Sequence, residues 1–147
     1  MDLGCGEGHA AHYFHKRGVA SLAVDGSRFN MVQQVFPIII HDMTLMPVQC
    51  DVDLVWCQEV VEHIEEKYLW NLMKSLACGK VVCMTHAEPG QPGYHHVNCQ
   101  PAEYWIEKMA DEGYVFFEAD TKRVRMLASM DNAHHAQRSA LVFGSKT

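Results

Sequence analysis

The sequence contains no long apolar segment and few basic residues. Its longest uninterrupted apolar run lies around VFPIII and is about six residues long, far short of the roughly 20 that cross a membrane. Lys and Arg number 12 against 18 Asp and Glu, which gives a formal net charge of -6. A broad nucleic-acid surface needs an excess of positive charge. These features argue against a membrane protein and against nucleic acid as the main partner.

The chain also lacks a CxxC pair, although it contains six cysteines. Several of them lie in apolar runs, where cysteine behaves as a small hydrophobic residue. We therefore expect reduced thiols in a cytoplasmic protein rather than a disulfide framework. The length of 147 residues and the apolar content of 48% indicate one globular domain over residues 1–147.

Strand-like and helix-like segments alternate along the chain. The apolar runs PIIIHD and VDLVWC are typical of strands buried on both faces of a parallel sheet. Helix patterns include SRFNMVQQV, with Ser27 as N-cap, and PAEYWIEKMADEG, with Trp105, Ile106 and Met109 pointing inward. The stretch 121–138 is ambiguous. The alternation predicts one α/β domain with a mainly parallel sheet.

A glycine-rich segment, DLGCGEGH, follows the first predicted strand. It places Gly4, Gly6 and Gly8 at alternate positions after Asp2. Such a turn lets the backbone come close to a ligand, because no Cβ is in the way. The dinucleotide-binding fingerprint is GxGxxG, whereas position 9 here is His. The spacing is therefore GxGxG preceded by an acidic residue.

This pattern resembles the first motif of the class I S-adenosylmethionine-dependent methyltransferases. The resemblance covers nearly the whole chain, since VDGS, HDMT and DLVWCQEVVEHI follow in the order that the family uses. It implies a Rossmann-like, doubly wound α/β fold with a mainly parallel sheet, an antiparallel last strand and helices on both faces. It also implies S-adenosylmethionine as the cofactor.

The same resemblance implies which residues contact the cofactor. Asp25 would accept hydrogen bonds from both ribose hydroxyls, a task that suits a carboxylate with two oxygens. Asp42 would accept from the adenine amine, and the Met43 backbone N–H would meet a ring nitrogen. The implied cofactor-binding set, whose last three members would lie beside the methionyl part, is Asp2, Gly4, Cys5, Gly6, Gly8, Asp25, Gly26, Asp42, Met43, Cys57, Gln58 and Glu59.

Each element also has a simpler explanation when it is taken alone. Asp25 and Asp42 close apolar strands, where Asp is often a turn former or a helix cap. Glu62 and His63 in EVVEHI would then be solvated residues of a first helical turn. Four elements in the family's order favour the cofactor-binding interpretation.

Family members usually carry one or two helices before the first strand, and these cover the cofactor. Here the sequence begins inside that strand. We expect one of three arrangements: cover from a partner chain or from a second copy in a homodimer, an unusually open site, or a truncated gene product.

The catalytic candidates are histidines at the end of the fifth predicted strand and in the loop after it. A neutral imidazole has the right pKa to act as a base near pH 7. His95 and His96 in GYHHVN are preferred to His86, and Glu88 is a lesser candidate. The alternative is a loop held in place by hydrogen bonds from histidine to the backbone.

Ten histidines also raise the question of a zinc site. His9, His12 and His15 recur every three positions, and His134 and His135 form a pair. None of the usual zinc spacings is present. We therefore expect exposed histidines and no metal site.

The sequence as a whole predicts a cytoplasmic, S-adenosylmethionine-dependent methyltransferase. We expect O- or N-methylation of a small-molecule or sugar-like acceptor, because the chain is acidic and carries no target-recognition domain. Two alternatives stay open at this point. One is a nicotinamide-dependent oxidoreductase, which the glycine spacing disfavours, and the other is a non-catalytic subunit that keeps the cofactor fold and needs a partner.

Overall fold

A seven-stranded sheet forms the centre of the computed structural model, which describes residues 1–145. The strands lie in the order β3-β2-β1-β4-β5-β7-β6. Their bounds are β1 Asp2–Leu3, β2 Ala23–Asp25, β3 Ile38–Ile40, β4 Val52–Cys57, β5 Gly79–Met84, β6 Tyr114–Phe116 and β7 Leu141–Ser145.

Strands β1 to β5 pair in parallel, and β7 inserts antiparallel between β5 and β6. The register places Val55 opposite Val82, and Val82 opposite Phe143. These three side chains are fully buried, so the middle of the sheet carries the core. Strand order reverses at β1, where ligands bind in open α/β sheets. The predicted fold class is confirmed.

Within residues 1–145, five α-helices and three short 3₁₀ helices accompany the sheet. The α-helices are α1 His9–His15, α2 Leu69–Leu76, α3 Ala102–Asp111, α4 Glu118–Met130 and α5 His134–Ser139. The 3₁₀ helices span Arg28–Val32, Val61–His63 and Glu66–Tyr68. No helix within residues 1–145 has the length and apolar content needed to cross a bilayer.

Helices α2 and α3 contribute their apolar faces to the core. Leu72 and Leu76 of α2 are fully buried, as are Trp105 and Met109 of α3. Burial of such side chains stabilises the fold by roughly 1.5–3 kcal/mol each. Ile106, which was expected to point inward, is only half-buried.

Two local predictions were wrong, both on the side of the sheet near β3. SRFNMVQQV forms only a short 3₁₀ helix, and Ser27 makes no side-chain cap. Its backbone N–H instead donates to Asp25, which ties the segment to β2. PIIIHD is not buried on both faces, because β3 is an edge strand and Ile39 is 52% exposed.

The ambiguous stretch 121–138 lies mostly in α4 and α5, which pack against each other through Ala128 and Ala136. All six cysteines are free thiols, as expected for a chain without a disulfide framework.

Candidate functional site

The glycine turn crosses the carboxyl end of β1 and leads into α1. Gly4, Gly6 and Gly8 have φ angles of 72°, 55° and 86°, in the left-handed region that favours glycine. The backbone N–H groups of Gly4 and Cys5 both donate to the Val24 carbonyl oxygen, at 2.8 and 3.0 Å. The turn is therefore held against the end of β2.

The surroundings of the three glycines differ. A Cβ at Gly4 would overlap the side chain of Val60, and one at Gly8 would lie 3.0 Å from the Cβ of Phe36. A Cβ at Gly6 would meet nothing within 4 Å. Gly4 and Gly8 are thus packed against protein, whereas Gly6 borders open space that a ligand can enter.

Asp25 ends β2 directly across from the glycine turn. Its Oδ2 accepts from the Gly6 backbone N–H at 2.8 Å. Its Oδ1 accepts from the Ser27 backbone N–H at 2.7 Å and from the Asn30 side-chain amide at 3.0 Å. A carboxylate has about four lone-pair sites, so three protein donors leave capacity for a ligand hydroxyl. Gly26 is exposed beside it.

Asp2 precedes the glycine turn, and Cys5 lies within it between Gly4 and Gly6. Asp2 is buried and accepts from the Ala11 backbone N–H at 3.0 Å, which ties β1 to α1. Burial raises the pKa of Asp2 to about 6. Burial, with the nearby Asp2 and Asp25 carboxylates, raises the pKa of the Cys5 thiol to about 12. Cys5 is therefore a neutral thiol.

Asp42 and Met43 follow β3 at the same edge of the sheet. Asp42 is exposed, and its Oδ1 accepts from the Thr44 backbone N–H and hydroxyl at 2.8 and 2.7 Å. The Met43 side chain is buried in the core, and its carbonyl oxygen accepts from the Asn71 amide at 2.8 Å. Asp42 Oδ2 and the Met43 N–H have no partner within residues 1–145.

The turn after β4 has a strained residue at its centre. Glu59 has a φ angle of 54°, which is uncommon for a residue other than glycine. The Thr85 hydroxyl accepts from the Glu59 N–H and donates to its Oε1, both at 2.8 Å. Glu59 Oε2 lies 2.9 Å from His135 Nδ1. Gln58 is half-buried, and Cys57 is fully buried, which raises the pKa of its thiol.

Glu62 lies on the 3₁₀ helix after this turn and is fully buried, so the alternative of a solvated residue was wrong. Neither carboxylate oxygen has a hydrogen-bond partner within residues 1–145. Burial raises the pKa of Glu62 to about 7; its own backbone N–H opposes the shift, Glu59 adds to it, and His96 opposes it further. Its carbonyl oxygen accepts from the N–H groups of Val97 and Asn98 at 2.9 and 3.0 Å.

The three catalytic candidates occupy different environments. His95 is exposed and has a φ angle of 52°. His96 is half-buried and packs edge-on against His63, with ring centroids 5.1 Å apart. His86 is buried, which lowers its pKa, and its Nε2 has no partner in the described chain. The fold therefore brings His96 to Glu62 and His63 and keeps His86 apart.

The histidines first considered for zinc form no cluster in the described residues. His9 pairs with Glu7 at 3.2 Å on the surface, and His135 pairs with Glu59. Within residues 1–145, Glu62, His63 and His96 instead bring one potential ligand atom each to within 4.8 Å of one another. Reasoning from sequence missed this group, because EVVEHI and GYHHVN are far apart in the chain. The concentration of His and Glu in these two motifs was the sequence feature that could have indicated the group.

A family described as a methyltransferase domain matches residues 1–84, which is more than half of the chain. The chain belongs to the methyltransferase domain family. The match includes the glycine turn, Asp25, Asp42 and the turn after β4. No curated protein matches the chain in sequence.

Solved structures share the fold of this methyltransferase domain. A SAM-dependent methyltransferase from Archaeoglobus fulgidus superposes with a TM-score of 0.67 at 16% identity, over 98% of this chain and 84% of that one. Magnesium protoporphyrin IX methyltransferase from Synechocystis PCC 6803, with bound SAH, gives 0.64 at 15% identity, over 80% and 64%. The domain thus spans less than two thirds of that enzyme.

The [4+2]-cyclase SpnF also has this fold, with a TM-score of 0.64 at 14% identity over 98% of this chain and 73% of that one. At such identities the likeness concerns the fold, and one fold supports several reactions. The family match, with the methyltransferase structures, confirms the predicted enzyme class and S-adenosylmethionine as its cofactor. It decides against the nicotinamide-dependent alternative.

Proposed function

We propose that this domain transfers the S-adenosylmethionine methyl group to a hydroxyl or amine of a small-molecule, sugar-like acceptor in the cytoplasm. The observation that carries the proposal is the juxtaposition of Gly6 and Asp25. Gly6 borders open space, and its N–H fixes the carboxylate of Asp25 beside that space at 2.8 Å. The cofactor is a nucleoside with a charged amino-acid tail. It needs a backbone without a Cβ that it can approach closely, and a carboxylate that accepts hydrogen bonds from its hydroxyls.

The residues at the carboxyl edge of the sheet would contact successive parts of the cofactor, in the order in which they occur in the chain. The glycine turn would hold the amino-acid part, and the remaining acceptor position of Asp25 would take one ribose hydroxyl. The free Oδ2 of Asp42 and the free N–H of Met43 offer an acceptor and a donor for adenine. Bound there, the cofactor supplies the reactive sulfonium methyl, and the protein positions the acceptor in line with it.

The acceptor region would be the loop 87–100 with the 3₁₀ helix Val61–His63. The loop follows β5 at the carboxyl edge, and its Val97 and Asn98 N–H groups bond to the Glu62 carbonyl oxygen. The loop is exposed at its tip, where Tyr94 is 94% exposed. An exposed polar loop on an acidic protein suits a small polar acceptor better than a nucleic acid.

Within this region we assign acceptor activation to the cluster that contains His96. A hydroxyl acceptor must lose its proton as it is methylated, and a group near the acceptor assists that step. His96 adjoins a second imidazole and a buried carboxylate. His95 on the exposed side of the loop and buried His86 rank below His96 for this role.

A panel assay tests the acceptor class. The full chain is incubated with S-adenosylmethionine and with separate sets of sugars, phenols, amines, RNA and peptides, and S-adenosylhomocysteine release is measured. We expect release with hydroxyl- or amine-bearing small molecules above the rate without acceptor. Release only with RNA or peptide would contradict the proposed acceptor class while keeping the enzyme class.

A further inference from the structure

Three side chains with metal-ligating atoms meet beside the acceptor region. Glu62 and His63 come from the 3₁₀ helix after β4, and His96 comes from the loop after β5. One ligand atom from each lies within 4.8 Å of the other two. Backbone hydrogen bonds from Val97 and Asn98 to the Glu62 carbonyl oxygen hold the two segments together. The cluster is therefore fixed by the fold.

The carboxylate of Glu62 is the feature that calls for a ligand. The side chain is fully buried, yet neither oxygen has a hydrogen-bond partner in residues 1–145. A buried carboxylate without a partner is costly, so native proteins pair such groups or use them to bind metals. The imidazoles lie nearby but make no hydrogen bond to it. A cation between the three groups would satisfy all of them.

Each of the two histidines has a backbone carbonyl oxygen beside its Nδ1. His63 Nδ1 lies 3.2 Å from the His95 carbonyl oxygen, and His96 Nδ1 lies 3.2 Å from the Gln91 carbonyl oxygen. An imidazole that donates one N–H to a carbonyl keeps a lone pair on its other nitrogen. Backbone carbonyl partners of this kind fix ring orientation in metal-binding histidines.

The loop is shaped to admit the His96 ring. A Cβ at Gly93 would overlap that ring, so a residue larger than glycine there would displace it. The position of His96 therefore depends on a glycine in its own loop as well as on the bonds to Glu62.

We propose that Glu62, His63 and His96 bind a divalent first-row transition metal ion such as Zn²⁺. Two imidazoles and one carboxylate are a ligand set that such ions favour, whereas Mg²⁺ prefers oxygen ligands. In a tetrahedral zinc site, ligand atoms are about 3.4 Å apart, so shifts of roughly 1 Å close the present cluster. Three protein ligands leave a coordination position open. If the proposed function holds, an acceptor hydroxyl would take that position, and its proton would pass to solvent water as its oxygen receives the methyl group.

Metal titration of the full chain tests this inference. Chelator-treated protein is titrated calorimetrically with Zn²⁺, Co²⁺ and Mg²⁺, and Co²⁺ binding is followed by its visible absorption. We expect one tight Zn²⁺ or Co²⁺ per chain and no comparable Mg²⁺ binding. Glu62→Gln and His96→Ala should each weaken Zn²⁺ binding by about a hundredfold or more, since each removes a ligand. Circular dichroism of both variants checks that they are folded.

The matched control is His12→Gln, which removes a histidine of α1 that lies outside the Glu62, His63 and His96 cluster. Unchanged Zn²⁺ affinity in this variant is expected. Loss of binding in His12→Gln with retention in folded Glu62→Gln would overturn the inference, as would the absence of tight Zn²⁺ and Co²⁺ binding by the parent protein. S-adenosylmethionine binding is measured on the same samples. If the protein binds the metal but does not bind S-adenosylmethionine, the proposed function is contradicted and the metal site is not.

Discussion

Two carboxylates at the same edge of the sheet have opposite environments. Asp25, at the end of β2, is half-buried and accepts three hydrogen bonds from the protein. Glu62, after β4, is fully buried and accepts none at its side chain within residues 1–145. The first is already positioned and stabilised without a ligand. Burial of the second without a partner is costly, and this cost is the basis of the proposed metal site.

The largest expected effect tests how rigidly the Asp25 region is built. Gly4→Ala places a Cβ against Val60 on a backbone with a φ angle of 72°. The strain and the overlap together should lower the free energy of unfolding by about 3 kcal/mol, measured by urea denaturation. Gly6→Ala is the matched control, since only the φ angle opposes it, and should cost about 1 kcal/mol. Equal losses would mean that the turn is not packed as described.

Asp25→Ala tests the proposed ribose contact. The variant should weaken S-adenosylmethionine binding by roughly 1–3 kcal/mol, the range for hydrogen bonds to a charged group. Calorimetry on the folded variant measures this directly. Unchanged affinity would show that the three protein donors exhaust the capacity of Asp25.

Glu62→Gln sharpens the comparison through pH. The pKa of Glu62 is raised from 4.5 to about 7, so between those values the folded state binds more protons than the unfolded chain. The contribution of Glu62 to the free energy of unfolding should therefore be greatest below about pH 4.5 and be lost as pH rises through 7, a change of about 3 kcal/mol.

The comparison is made on chelator-treated protein, parent against Glu62→Gln. Asp2 also has a raised pKa, so it contributes the same pH dependence of stability to both proteins. The difference between the two stability profiles therefore reports Glu62. The variant should lack this part of the slope and be more stable than the parent at pH 8. A parent whose stability rises between pH 5 and 8 relative to the variant would contradict the assignment of an unpaired carboxylate.

The smallest effect concerns the third donor to Asp25. Asn30→Ala frees Oδ1 from the Asn30 amide, a 3.0 Å contact from an otherwise loose 3₁₀ segment. S-adenosylmethionine affinity should stay the same or tighten by less than about 1 kcal/mol, because one competitor for the carboxylate is removed. A clear loss of affinity in the same calorimetric assay would instead make Asn30 a cofactor contact.

The Asp25 region could be predicted from sequence because its parts are local. The spacing of Gly4, Gly6 and Gly8 requires a left-handed turn after a strand, and an acidic residue at the end of the next strand lies beside it in a parallel sheet. The same logic placed Asp42. The predicted helix after Ser27 was wrong because its residues have no buried face. None of residues 28–32 is buried, so packing does not stabilise a longer helix there.

The Glu62 region could not be predicted, because it depends on the path of a loop. EVVEHI alone reads as a solvated first turn, and GYHHVN alone as a polar loop. The bonds from Val97 and Asn98 to the Glu62 carbonyl oxygen and the contact of His63 with the His95 carbonyl oxygen bring the motifs together, and Gly93 leaves room for the His96 ring. Burial of Glu62 is a consequence of that assembly rather than of its own hydropathy.

The most direct test of the central claim is calorimetric titration of the full chain with S-adenosylmethionine, S-adenosylhomocysteine and NADH in parallel. The account predicts that the first two bind at one site per chain and that NADH does not, because the GxGxG turn and Asp25 form a site for the sulfonium cofactor. Binding of NADH alone, or of none of the three by folded protein, would contradict it.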